Sequence, residues 1–381
     1  MIKPFLISLI GLFVGIVVGI FITKSQATVP SHTKESETKQ VIGFLPYWQL
    51  ERANQNELKY ITTLTYFGLN VGGDGHIVKM VNDTQDDPGW YGLHSDKLEQ
   101  ILKNAKNMNI KLSLLIASGD TSAINNMVNN PREHAATLVN DVAPIIKRYG
   151  FDDLNLDIED TGVASPGAEK KFTQFVKDVK NQMTIKKLGT LTLEISIADT
   201  IKTNLINISA VEPYADTIIL MAYDFHSPDS DVTGPVAPLN GAGIDSEYDV
   251  TTAIEKSLPS VQPNQFVLGM PLYGYEWETL NTAARSAIIP GSGVLASNNR
   301  TESMISQCAS CSAFFDDESK EAFIEYHDDS SGTYHQFSVP NEESVDAKLS
   351  YAKKEHLGGV ALWALGYEGN SILEPLFKYK Q

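Results

Sequence analysis

Residues Phe151–Asp160 read FDDLNLDIED, in which Asn155, Asp157 and Glu159 alternate with Leu154, Leu156 and Ile158. In an extended strand this alternation puts the polar groups on one face and the aliphatic groups on the other. A parallel strand buried on both faces normally carries Val, Ile and Leu throughout. Neighbouring carboxyl groups on such a face cost free energy unless they are paired, bind a metal or do chemistry. Acid–base catalysis, metal ligation and a structural carboxylate cluster are the readings this row leaves open. Three further stretches carry rings or carboxyls: Met221-Ala222-Tyr223-Asp224, Pro271–Trp277 (PLYGYEW) and Ala361–Gly366 (ALWALG). Flat rings stack on the apolar faces of sugars, and carboxyls hydrogen-bond hydroxyls and supply acid–base function. Taken singly, Tyr223 and Trp363 read as core aromatics, and Tyr273, Tyr275 and Trp277 as packing for a neighbouring segment. Tyr47 and Trp48, after an earlier apolar run, are open to both packing and sugar contact.

Such residues act together only if several strand ends meet. From Val41 onward short apolar runs alternate with helical patterns, which predicts parallel βα units. Eight runs read as strands: Val41–Pro46, Tyr60–Leu69, Lys111–Ala117, Asp153–Glu159, Thr190–Ile197, Thr217–Tyr223, Phe266–Pro271 and Gly359–Leu365. Ser95 is placed to cap a helix whose apolar face carries Leu98, Ile101, Leu102, Ala105 and Met108. Pro131–Tyr149, with Pro144 inside it, Gly167–Lys186 and Glu342–His356 are further helices. Eight strands with intervening helices give the α/β class and a (β/α)8 TIM barrel. The long segment between the seventh and eighth strands exceeds what one helix needs, so a small α+β insertion is placed at about 279–340. Phe323–His327 and Gly332–Val339 are its hairpin strands. Loops after strands stand at a barrel's catalytic rim, so the insertion is expected to wall the binding site.

The formal charge is −17, from 30 Lys+Arg against 47 Asp+Glu, which denies nucleic acid its basic footprint and suits a neutral substrate. Phe5–Ile22 is an unbroken apolar run after Lys3. As a helix it would span ~27 Å, close to the hydrocarbon core of about 30 Å. Its length favours an uncleaved membrane anchor over residues 1–22; cleavage near Ser25-Gln26-Ala27 would instead release the chain. Residues 23–40 are polar and aperiodic and read as a flexible linker, leaving residues 41–381 as an extracellular, membrane-tethered domain. Cys308 and Cys311 are spaced as CASC, open to a local disulfide or two thiols, and too few for a structural zinc site.

FDDLNLDIE resembles the Asp-x-x-Asp-x-Asp-x-Glu signature of family 18 glycoside hydrolases, the chitinase and N-acetylglucosaminidase superfamily. Asp152, Asp157 and Glu159 match, Asn155 replaces the second Asp, and Asp153 stands where Gly is usual. Met221-Ala222-Tyr223-Asp224 resembles the family's Met-x-Tyr-Asp element and Trp363 its last-strand tryptophan, whereas Ile116–Asp120 matches the third-strand element only loosely. Gly234–Leu239, Leu268–Trp277 and Gly358–Tyr367 are similar to the bacterial branch of spore-cortex and peptidoglycan glucosaminidases. The resemblance implies a retaining, substrate-assisted glycosidase in which the sugar's N-acetyl oxygen attacks the anomeric carbon. Glu159 would be general acid and base, Asp157 would accept the acetamide N–H, Tyr223 would donate to its carbonyl, and Asn155 is counted with these three as the catalytic set. Trp363 would floor the sugar, Met221 and Asp224 would line the subsite, and Tyr273 and Tyr47 join them as substrate contacts. The implied partner is an N-acetylglucosamine-containing glycan, with no cofactor and no metal; the oligomeric state is not legible. The alternative is a non-catalytic sugar-binding protein on the same barrel.

Overall fold

The computed structural model describes residues 39–381, apart from 54–55, 161, 163 and 245–246. The expected anchor at 1–22 and nearly all of the expected linker lie outside the described residues. Eight parallel strands form a closed barrel: Gln40–Pro46, Thr63–Val71, Lys111–Ser118, Asp153–Ile158, Thr190–Ser196, Thr217–Met221, Phe266–Pro271 and Gly359–Trp363. The first strand pairs in parallel with both the second and the eighth, which closes the ring without a free edge. Each expected strand is present, with ends that differ by up to a few residues. Along the fourth strand Ser113 faces Asp153, Leu115 faces Asn155 and Ala117 faces Asp157, so the acids rise one rung at a time.

Alternation divides the core into two layers. Leu154, Leu156 and Ile158 are buried in the large cluster between barrel and helices. Inside, Ile42, Phe44, Leu115, Ile219, Val267 and Ala361 form a separate apolar cluster. That cluster draws mainly on the first, sixth, seventh and eighth strands. The second to fifth strands bury Thr65, Ser113, Asp153, Asn155, Asp157, Thr192 and Glu194 instead. The lumen is therefore apolar on one side and polar on the other.

Helices form where periodicity and caps agree. Ser95 accepts from the Leu98 amide and starts Asp96–Asn107. Pro131–Tyr149 is helical throughout, with Pro144 inside it, and ends at Gly150 in the left-handed conformation. The insertion is an antiparallel sheet of five strands, in the order Val294–Ser297, Tyr273–Thr279, Thr333–Val339, Glu321–Asp328 and Ser312–Asp316, with the helix Asn298–Ile305. It begins at Tyr273, before the expected boundary of about 279. A single residue, Leu272, separates the seventh barrel strand from the first strand of this second sheet, and its N–H bonds to the Trp363 carbonyl at 2.7 Å. Cys308 and Cys311 form a disulfide. Among the described residues no helix is long and apolar enough to cross a membrane.

Candidate active site

The fourth strand ends in a graded row. Asn155 is 1% exposed and Asp157 8%, whereas Glu159, just past the strand end, is open to solvent. Below them Asp153 accepts from Ser113 Oγ at 2.7 Å, Thr190 Oγ1 at 2.6 Å and Thr192 Oγ1 at 3.1 Å. Asn155 Nδ2 donates to Glu194 Oε1 at 2.6 Å, across to the fifth strand. Burial, then the neighbouring Glu159 charge, holds the Asp157 carboxyl well above the ordinary range. Glu159 is also raised, chiefly by burial, with Asp199 and Asp224 adding to it against a hydrogen bond from Asp157. The residues lining the cleft include no Lys, Arg or His to offset these charges. Ionising either of two carboxyls so placed raises the cost of ionising the other.

Above the row lies a cleft of about 460 Å³, within the size range of small-molecule sites. Asp157, Glu159, Met221, Tyr223, Asp224 and Trp363 all line it. The Trp363 ring lies 4.9 Å from Phe67, 5.7 Å from Phe44 and 6.1 Å from Trp48, centroid to centroid. These rings give the cleft one aromatic wall opposite its acids. Burial, with the nearby Glu194 and Asp157 charges, keeps the Tyr223 phenol protonated far past its ordinary range, so it serves as a donor. Asp224 adopts a left-handed backbone, φ 60°, which an L-residue holds only when its surroundings fix it. Tyr273 Oη and Tyr275 Oη supply that restraint, donating to Asp224 Oδ1 at 2.6 and 2.9 Å. Burial raises Asp224 and these two hydroxyls oppose the rise.

Not every expected contact residue reaches the cleft. Asn155 lies beneath it. Tyr273 is 2% exposed and its hydroxyl is engaged by Asp224, so it supports a lining residue and is not one itself. Tyr47 is half-buried, packs against the main core and meets Trp48 edge-on at 4.9 Å, outside the cleft lining. Its neighbour Trp48 is 44% exposed beside Trp363 and is the better placed of the two. Glu194 was missed by sequence reasoning altogether. It is 3% exposed, lines the cleft floor and is raised well above the ordinary range by burial first and the Asp157 charge next. Its signal was available: Thr192, Glu194 and Ser196 alternate with Leu191, Leu193 and Ile195, as the polar row does one strand earlier. Among the described residues no three His, Cys, Asp or Glu side chains are grouped to hold a metal.

Comparison with known proteins agrees with this fold. The family model described as glycosyl hydrolases family 18 matches residues 40–368. Mouse chitotriosidase-1 is 28% identical over 295 residues, covering 71% of this chain and 62% of that protein. The cortical fragment-lytic enzyme of Bacillus subtilis is 22% identical over 332 residues, covering 83% of this chain and 67% of the enzyme. The chain thus spans about two thirds of the length of these relatives. Among solved structures, a group IV chitinase of Ostrinia furnacalis in complex with allosamidin superposes with a TM-score of 0.75 at 20% identity, over 90% of this chain and 97% of that one. The spore cortex-lytic enzyme SleL of Bacillus megaterium does so with a TM-score of 0.69 at 17% identity, over 90% and 74%. Barrel, acid row and family model together identify the chain as a member of glycosyl hydrolase family 18.

Proposed function

We propose that this protein is a retaining glycosidase that hydrolyses β-1,4 linkages next to N-acetylglucosamine, in peptidoglycan or chitin-like glycans, by substrate-assisted catalysis. The supporting observation is the Asp157–Glu159 pair, one carboxyl buried and one open, facing an aromatic wall across a cleft without cations. A retaining mechanism with a protein nucleophile needs two carboxyls about 5–5.5 Å apart on either side of the sugar. Family 18 enzymes are the exception, in which the substrate's own acetamide oxygen attacks the anomeric carbon, and membership of that family carries this role over to the present site. In the empty site a proton shared by the pair lies toward the more buried Asp157. A bound acetamide offers its N–H to Asp157, which ionises, and the proton passes to Glu159. Glu159 then protonates the leaving oxygen as the C1–O bond breaks and the acetamide oxygen closes on C1. Asp157 balances the oxazolinium charge, and the Tyr223 hydroxyl holds the carbonyl in line. Water attacks C1, Glu159 recovers its proton, and the acetamide is released.

The apolar run Phe5–Ile22 supports a chain tethered to the cell membrane with its barrel outside, where such glycans lie. The test incubates wild type and Glu159→Gln with chitooligosaccharides and with purified peptidoglycan and identifies new ends by mass spectrometry. Removing a general acid is expected to cost about 10²–10⁴-fold in kcat. Undiminished cleavage by Glu159→Gln would refute the assignment, and sugar binding without cleavage by wild type would favour a non-catalytic lectin-like role.

A further inference from the structure

The row of acids has a third member on the neighbouring strand. Glu194 is 3% exposed, and its Oε1 accepts from Asn155 Nδ2 at 2.6 Å. Its other oxygen, Oε2, is buried without a hydrogen-bond partner, and so are Asn155 Oδ1 and Asp157 Oδ1. Buried acceptors left unpaired cost about 1–3 kcal/mol each, and a protonated carboxyl at this position supplies a donor that an all-ionised row does not contain. Titratable groups face Glu194 from two strands: Asp153, Asp157 and Glu159 on the fourth and Tyr223 past the end of the sixth. None of these groups is a cation. An ionised Glu194 would therefore add a further buried negative charge beside the Asp157–Glu159 pair.

We propose that Glu194 is a positioning residue of the catalytic centre, standing as a neutral acid that Asn155 orients beside the Asp157 carboxyl. The amide of Asn155 determines where the proton goes. Its Nδ2–H requires Oε1 to remain an acceptor, so the acidic hydrogen sits on Oε2. Glu194 thus becomes the donor the site lacks, and the only charge left to place belongs to the Asp157–Glu159 pair. The inference rests on the catalytic reading of that pair but makes a separate claim about protonation. Burial and the Asp157 charge both act on Glu194 in the direction that keeps its proton.

The test compares full-length wild type with Glu194→Ala and Glu194→Gln. Glu194→Ala is expected to lose about tenfold in kcat with KM changed less than about twofold, since the lost group stands beside a reacting carboxyl and binds no substrate. Water entering the vacated space would solvate Asp157, lower its pKa and move the acid limb of the kcat profile to lower pH. Glu194→Gln, which keeps a neutral donor, is expected to restore most of the rate and the wild-type limb. The second measurement is infrared difference spectroscopy. Wild type minus Glu194→Gln should show a protonated-carboxyl C=O stretch that persists at pH 8. A wild-type rate and profile in Glu194→Ala, a Glu194→Gln rate no better than Glu194→Ala, or no such band would each overturn the proposal. If wild type cleaves no acetamido sugar, the catalytic reading fails, and the infrared band still decides the state of Glu194.

Discussion

At Asp153 three hydroxyl donors pull the carboxyl toward ionisation and the loss of water pulls it back; burial dominates and sets its pKa at about 6. That value lies above the unfolded one, so the stabilising contribution is complete below about pH 4 and lost as pH rises through 6. The shift corresponds to roughly 3 kcal/mol. Denaturant unfolding should show wild type losing about that much relative to Asp153→Asn between pH 4 and pH 8, and a pH-independent difference would contradict the assignment. Asp224 is likewise raised by burial, and Tyr273 and Tyr275 hold that rise in check by favouring its ionised form. Replacing both with Phe should raise the Asp224 pKa further and move the acid limb of kcat/KM upward by on the order of one pH unit. An unmoved limb would show that catalysis does not depend on Asp224 being charged. Single residues were legible to different degrees. Asp157 and Glu159 stood out because two acids interrupt an aliphatic strand. Glu194 did not, because one acid among Thr and Ser looks like an ordinary solvated face. Tyr273 pointed to sugar contact by its type alone, and type does not say which way a ring at a sheet junction turns.

The strands were legible as elements because eight apolar runs recur with helical spacing between them, and the fold honours each. Their ends were less so, since side-chain alternation does not by itself say where a strand stops. The start of the insertion escaped because Phe266–Trp277 reads as one hydrophobic run, while the chain changes sheets at Leu272. Gly274 explains how the second sheet fits so close behind the first. A Cβ there would lie 1.7 Å from the Ser338 carbonyl oxygen on the adjoining strand, so only backbone movement could admit it. Gly274→Ala should destabilise the protein by about 1–3 kcal/mol. It should also loosen Tyr273 and Tyr275 from Asp224, so thermal midpoint and kcat are expected to fall together. A drop in midpoint with full activity would separate the insertion sheet from the site.

For the molecule as a whole, a fully buried ion pair ties the insertion to one of the barrel helices. Glu321 of the insertion, 0% exposed, meets Lys348 of the helix Glu342–Lys354, 1% exposed. Glu321→Gln would strand the lysine charge and should cost about 3–5 kcal/mol of unfolding free energy, whereas Glu321→Leu with Lys348→Met should recover most of it. A loss below about 1 kcal/mol in the single variant would mean that water reaches the pair. The cleft itself holds only acids among its charged lining residues, on a chain of net charge −17. A glycan bearing free carboxylates is therefore repelled on approach, and a neutral one is not. Added sodium chloride shortens the reach of that repulsion to about 8 Å at physiological ionic strength and about 3 Å at 1 M. Salt should accordingly lower the KM for carboxylate-bearing strands and leave that for neutral oligosaccharides unmoved, which turns a simple titration into a gauge of which polymer the cleft is built to accept.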